Sequence, residues 1–136
     1  MAEITKIVIT KNPGYGCSST MFQEKITLKA NSIEYKLIPH MNNKSDIEKH
    51  WKYQSNSGTM KDKVKKAFDE IGKIIWLDEN AACLDIGSIE FIITYLDKTK
   101  LKKNFWRPPT DFRSGLLTVR DLVPHLEQMP RFLGNL

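Results

Sequence analysis

The 136-residue sequence predicts an α+β domain in two layers, an antiparallel sheet of about six strands with two helices packed on one face. Three observations carry this reading. Six short runs alternate apolar and polar residues with the period of two that half-buried strands require. Two longer stretches, Met60 to Ile75 and Phe112 to Leu126, repeat apolar residues at the three- and four-residue spacing of an amphipathic helix. The strand runs are joined by hairpin-length turns, which disfavours a parallel sheet and gives the element order ββββ-α-ββ-α.

Thr5 to Thr10 forms the first strand, with Ile7 and Ile9 on one face. Asn12-Pro13-Gly14-Tyr15-Gly16 is dense in turn formers and reads as a loop. Phe22 to Ala30 alternates again, setting Phe22, Ile26 and Leu28 against Gln23, Lys25, Thr27 and Lys29. A two-residue turn at Asn31-Ser32 follows, because Asn tolerates the positive φ of tight hairpins. That register pairs Leu28 with Tyr35, Ile26 with Leu37 and Lys29 with Glu34, the last an opposite-charge pair. Pro39 ends the third strand, since it has no N–H for the ladder. His40 to His50 is polar and loop-like. Trp51 and Tyr53 alternate with Lys52 and Gln54 as a short fourth strand, which Ser55-Asn56-Ser57-Gly58 breaks.

The first helix carries Met60, Val64, Ala67, Phe68, Ile71, Ile74 and Ile75 as one stripe, with Thr59 as its N-cap. Lys61, Asp62, Lys63, Lys65 and Lys66 take its outer face, and Trp76 at the end of the stripe is assigned to the core. Gly72 weakens the last turn by about 1 kcal/mol relative to Ala. After a loop over 78–87, Ile89, Phe91, Ile93 and Tyr95 line a strand whose two faces are both apolar around Phe91-Ile92-Ile93, as in a central strand. For Ile93 and Leu101 to share a face, the turn around Asp97-Lys98-Thr99 must hold an odd number of residues. Arg107-Pro108-Pro109-Thr110 then opens the second helix, on Phe112, Leu116, Val119, Val123 and Leu126. Pro124 ends it near Val123. Met129, Phe132, Leu133 and Leu136 pack the tail down.

Residues 1–136 fit a single globular domain, long enough to fold without a metal or disulfide. The N-terminus shows no secretory pattern, and no apolar stretch approaches the roughly 18 residues of a membrane helix. Cys17 and Cys83 lie far apart and outside any CxxC pair, so reduced thiols in the cytoplasm are the expectation. A net charge of +5 favours anionic partners.

Motifs that carry chemistry are thin. The loop Gly14-Tyr15-Gly16-Cys17-Ser18-Ser19 resembles a phosphate cradle in its glycines, but lacks the Lys and the following helix that a P-loop needs, so it reads as a connector. Neither cysteine has a base beside it, and Cys83, set in Ala81-Ala82-Cys83-Leu84, fits a small buried hydrophobe. His40, His50 and His125 show no metal-ligand spacing; they read as exposed loop histidines, although His40 and His50 share one polar stretch. Asp78, Glu79, Asp85 and Glu90 precede a strand, yet apolar residues fill the positions where calcium ligands belong. No catalytic residue, metal or cofactor is assigned.

What remains is binding. Basic runs cover Lys61 to Lys66 and Lys98 to Arg107. Lys100 and Lys102 share a strand face with Trp106 in phase, and an aromatic among cations suits a single-strand nucleic-acid binder. A lysine-rich edge strand also simply blocks unwanted sheet pairing. Trp51, Tyr53 and Trp106 serve as binding anchors when exposed and as core when buried, and Trp106 is the one expected at the surface. The leading reading is a non-catalytic cytosolic interaction module with a protein or acidic ligand, using Trp51, Tyr53, Lys100, Lys102, Trp106 and Arg107. A nucleic-acid binder using the basic, aromatic C-terminal hairpin is the second reading, and a small enzyme with a dispersed site the third. No membrane partner is expected; the oligomeric state is open, and an outer sheet face presenting Trp51 or another aromatic row would favour dimerisation through it.

Overall fold

The computed structural model describes residues 3–14, 19–76, 87–106, 108–134 and 136, with the order of elements the sequence predicts. The strands are β1 (Ile4–Asn12), β2 (Phe22–Lys29), β3 (Ser32–Pro39), β4 (Lys49–Gln54), β5 (Ser88–Tyr95) and β6 (Lys100–Phe105). The helices are α1 (Gly58–Ile74), α2 (Arg113–Arg120) and the short α3 (Arg131–Gly134), with a 3₁₀ turn over Pro109–Phe112 leading into α2. The strands form one sheet in the order β4-β3-β2-β1-β5-β6, every neighbouring pair antiparallel. The chain therefore reaches one edge with β4, crosses back through α1, and resumes on the far side of β1.

One sheet face is mostly apolar and buries Ile7, Ile9, Ile26, Leu28, Ile33, Tyr35, Phe91 and Ile93. Val64, Ala67, Phe68 and Ile71 of α1, with Leu116 and Val119 of α2, close over it. Phe91, Phe105 and Phe112 form an aromatic triangle with ring centroids 5.0 to 6.0 Å apart, tying β5 and β6 to the start of α2. Gly115 lets α2 approach α1, because a Cβ there would run into the Ile74 side chain.

Several local expectations give way. The hairpin between β2 and β3 turns on Ala30-Asn31, pairing Lys29 with Ser32, Leu28 with Ile33, Ile26 with Tyr35 and Thr27 with Glu34. Neither turn residue has a positive φ. Asn31 instead donates to Asn56 Oδ1 at 2.8 Å and accepts from the Ser55 amide at 3.0 Å, which ties the turn to the end of β4. The shift moves every partner by two residues and leaves every side chain on its predicted face. The N-cap of α1 is Ser57, whose Oγ accepts from the Met60 amide at 3.1 Å, in place of Thr59. Trp76 is 70% exposed, because α1 ends at Ile74 and the stripe ends with it. The second helix stops at Arg120, short of Val123, and Leu126 lies beyond it at 98% exposure. The β5–β6 turn has the odd count expected: Leu96-Asp97-Lys98 spans the Tyr95–Thr99 pair, with Lys98 at φ 70°.

Among the described residues no helix is long and apolar enough to cross a membrane.

Candidate functional site

Strand pleating fixes what the opposite sheet face presents. Residues paired across an antiparallel ladder share a face, so three rows run across all six strands. One is Gln54, Ser32, Lys29, Lys6, Thr94, Lys100. The next is Lys52, Glu34, Thr27, Val8, Ile92, Lys102, and the third is His50, Lys36, Lys25, Thr10, Glu90, Asn104. Seven lysines thus share this open face with two glutamates, over a width of about 24 Å at the usual 4.8 Å strand spacing. Lys25, Lys29, Lys36, Lys52, Lys100 and Lys102 are exposed.

The arrangement works against the sheet's own stability. Lys6 stands directly opposite Lys29, and Lys25 directly opposite Lys36. Like charges in that relation destabilise a ladder. The two acids offset part of this. Glu34 meets His50 Nε2 at 2.6 Å, and Glu90 meets Lys102 Nζ at 3.4 Å. The hydrogen bond from His50 holds the Glu34 carboxyl below its ordinary range, against the opposing effect of burial.

A second polar cluster lies on the core side, and its role is structural. Glu24 is 1% exposed and accepts from Tyr35 Oη at 2.5 Å and from the amides of Arg131 and Phe132 at 2.8 and 3.1 Å. Its two oxygens thus cap the first turn of α3. Burial, then the Glu24 hydrogen bond, pushes the Tyr35 phenol upward, so it stays a donor. Burial lowers the neighbouring Lys11 ammonium, and Glu24 opposes that shift. Arg131 stacks over the Phe22 ring at 4.5 Å and reaches Asp46 with both terminal nitrogens, at 2.6 and 3.4 Å. Trp51 completes the clasp by donating Nε1 to the Gln128 carbonyl at 3.0 Å.

The residues singled out from sequence fall at opposite edges of the sheet. Trp51 is 9% exposed, packs on Tyr35 at 5.7 Å, and sits on the core side of β4. Tyr53 shares that register face and is 43% exposed. Lys100 and Lys102 lie on β6, on the open face, and Trp106 just beyond β6 is half-buried. Arg107 lies outside the described residues, as do Cys17, Cys83, Asp78, Glu79, Asp85 and most of the Gly14–Ser19 loop. β4 and β6 are the two edges, so Trp51 and Tyr53 do not join the β6 group. These three open-face rows hold no aromatic residue, and Trp51 lies on the opposite face.

Sequence reasoning missed Lys6, Lys25, Lys29, Lys36 and Lys52. Their signal was present as the polar side of each alternating strand, but their grouping needs the strand order. His40 and His50 are engaged separately, His40 Nδ1 accepting from the Asn42 amide at 3.1 Å and His50 meeting Glu34. Among the described residues no group of three His, Cys, Asp or Glu side chains is placed to hold a metal ion. Compared with known proteins, the chain matches no family model and no curated protein.

Proposed function

We propose that this chain is a non-catalytic binding module whose open sheet face receives an acidic surface of a partner protein. The observation that carries the reading is the accumulation of lysine on one face, including places where Lys6 faces Lys29 and Lys25 faces Lys36. Like charges at cross-strand positions lower stability by a few tenths of a kcal/mol or more, and an anionic partner reverses their sign of interaction. We place the module in the cytosol on sequence grounds, from two cysteines outside any pair-forming motif.

A nucleic-acid partner is the second reading, favoured by the continuity of Lys100 and Lys102 with the rest of the basic field. Two features of the face weigh against it. Its rows carry no aromatic side chain for stacking bases and no arginine for bidentate phosphate or guanine contacts. Against a duplex in particular, it is a sheet face rather than a helix or ribbon that enters a groove.

The discriminating experiment titrates the whole chain with poly-glutamate, a single-stranded oligonucleotide and a duplex at several salt concentrations. The acidic-protein reading expects saturable, salt-weakened binding of poly-glutamate that is lost in the double variant Lys25→Glu, Lys36→Glu. Preferential oligonucleotide binding, with a log–log salt slope of about 0.7 to 0.9 per phosphate contact, would install the second reading instead. Binding of neither polymer removes both.

A further inference from the structure

A second surface, on the other side of the molecule, is independent of the open face. Between α1 and one end of the sheet lies an open cleft of about 1140 Å³. Ile4, Val64, Phe68 and Tyr95 line its floor, and Trp76 stands at the end of α1 with 70% of its surface in solvent. Lys61, Lys65 and Lys73 also line it from α1. With Asp69 they form a row at four-residue spacing, which places them along one side of the helix over about 18 Å.

At about 1140 Å³ the cleft lies at the upper end of the roughly 300 to 1,000 Å³ of small-molecule sites and is half-open along α1, a shape that a polypeptide segment can fill. Glu3 and Asp69 also line the cleft and Lys73 pairs with Glu70 at 3.1 Å, so its cationic end is Lys61 and Lys65. An apolar floor beside these two matches a helix with leucine-type residues on one face and carboxylates flanking them. Tryptophan at the end of such a groove is the residue type that most often anchors an interface.

We infer that this cleft docks an acidic amphipathic helix of a partner protein, about three turns long, with Trp76 as its apolar anchor and Lys61 and Lys65 as its charge contacts. Gly72 lies inside the cleft, and a Cβ there meets only Ile4 Cδ1 at ordinary contact distance. Larger side chains at 72 therefore enter the space the helix would occupy, while raising helix propensity.

The test uses the full chain and two synthetic amphipathic peptides of about 14 residues, one with glutamate and one with lysine flanking the same leucine face. Tryptophan emission is followed through each titration, with Trp76→Phe identifying the signal of residue 76. The glutamate peptide is expected to bind saturably, with a blue shift that Trp76→Phe abolishes. Affinity should fall about tenfold or more in Trp76→Ala, Lys65→Glu and Gly72→Met, and stay unchanged in Lys25→Glu, Lys36→Glu. Circular dichroism checks that each variant is folded, and both Trp76 and Lys65 are exposed enough to replace. Equal binding of the lysine peptide overturns the proposal, as does no saturable binding of either. Loss of binding in the open-face variant alone transfers the peptide to the sheet. Concentration-dependent sedimentation that Trp76→Ala abolishes would make a second copy of the chain the occupant and also overturn it.

Discussion

Lys98 and Gly87 show how single backbone positions hold the second half of the sheet in place. Lys98 has φ 70° in the β5–β6 turn, a left-handed conformation that costs a non-glycine residue about 1 kcal/mol. Asp97 stabilises the turn around it, accepting from the Thr99 amide at 3.0 Å and from its hydroxyl at 2.6 Å, and these bonds hold the Asp97 carboxyl below its ordinary range. Lys98→Gly is therefore expected to raise the unfolding free energy by about 0.5 to 1 kcal/mol, read from urea midpoints. Gly87 enters β5 at φ 74°, and a Cβ there would overlap the carbonyl oxygen of Asn12 and the backbone of Pro13. Gly87→Ala is expected to destabilise by about 2 kcal/mol or more, since both the dihedral and the space exclude a side chain. An unchanged midpoint in either variant contradicts the corresponding account. Neither role was legible in the sequence: an odd turn count predicts a left-handed residue without saying which, and nothing near Gly87 announces that Asn12 lies against it.

At the scale of elements, the C-terminal segment is held by polar contacts that reach far along the chain. Glu24 lies on the second strand, yet it caps a helix more than a hundred residues later. Replacing it by Ala leaves the Tyr35 hydroxyl and two amides without their acceptor, at an expected loss of about 3 kcal/mol and of amide-exchange protection at Phe132. The Asp46–Arg131 pair adds a pH dependence. The hydrogen bonds from Arg131, then Asn43, hold the Asp46 carboxyl below its ordinary 3.8. A carboxyl depressed on folding contributes stability above its unfolded value and loses it as pH falls through its folded value. Below about pH 4, then, the wild type should lose stability more steeply than Asp46→Asn, measured by urea midpoints down the acid limb; parallel acid limbs contradict this. The strands and α1 were readable from periodicity, because each buries one face and its residues declare it. Glu24 was not, since a glutamate among Gln23 and Lys25 looks like part of a polar run until its partners arrive from the tail. The hairpin register was missed for a related reason. A slip of two preserves every face, so burial patterns cannot distinguish the two registers, and the choice rests on Asn31 reaching the end of β4.

Viewed whole, the molecule is asymmetric. One sheet face carries the core and helices, and the other carries lysine. The polar side of each strand was visible in the sequence, but the order β4-β3-β2-β1-β5-β6 was not, because β1 joins β5 across nearly eighty residues. Without that order, Lys6 and Lys29 are two unrelated cations; with it, they are neighbours. The central claim is that this face gives up stability to hold its charge for a partner. The most direct measurement compares Lys25→Glu with the wild type in thermal midpoint and in poly-glutamate affinity. Facing Lys36, the new carboxylate should raise stability by about 0.2 to 1 kcal/mol while weakening the binding severalfold. Lower stability with unchanged binding would contradict the account.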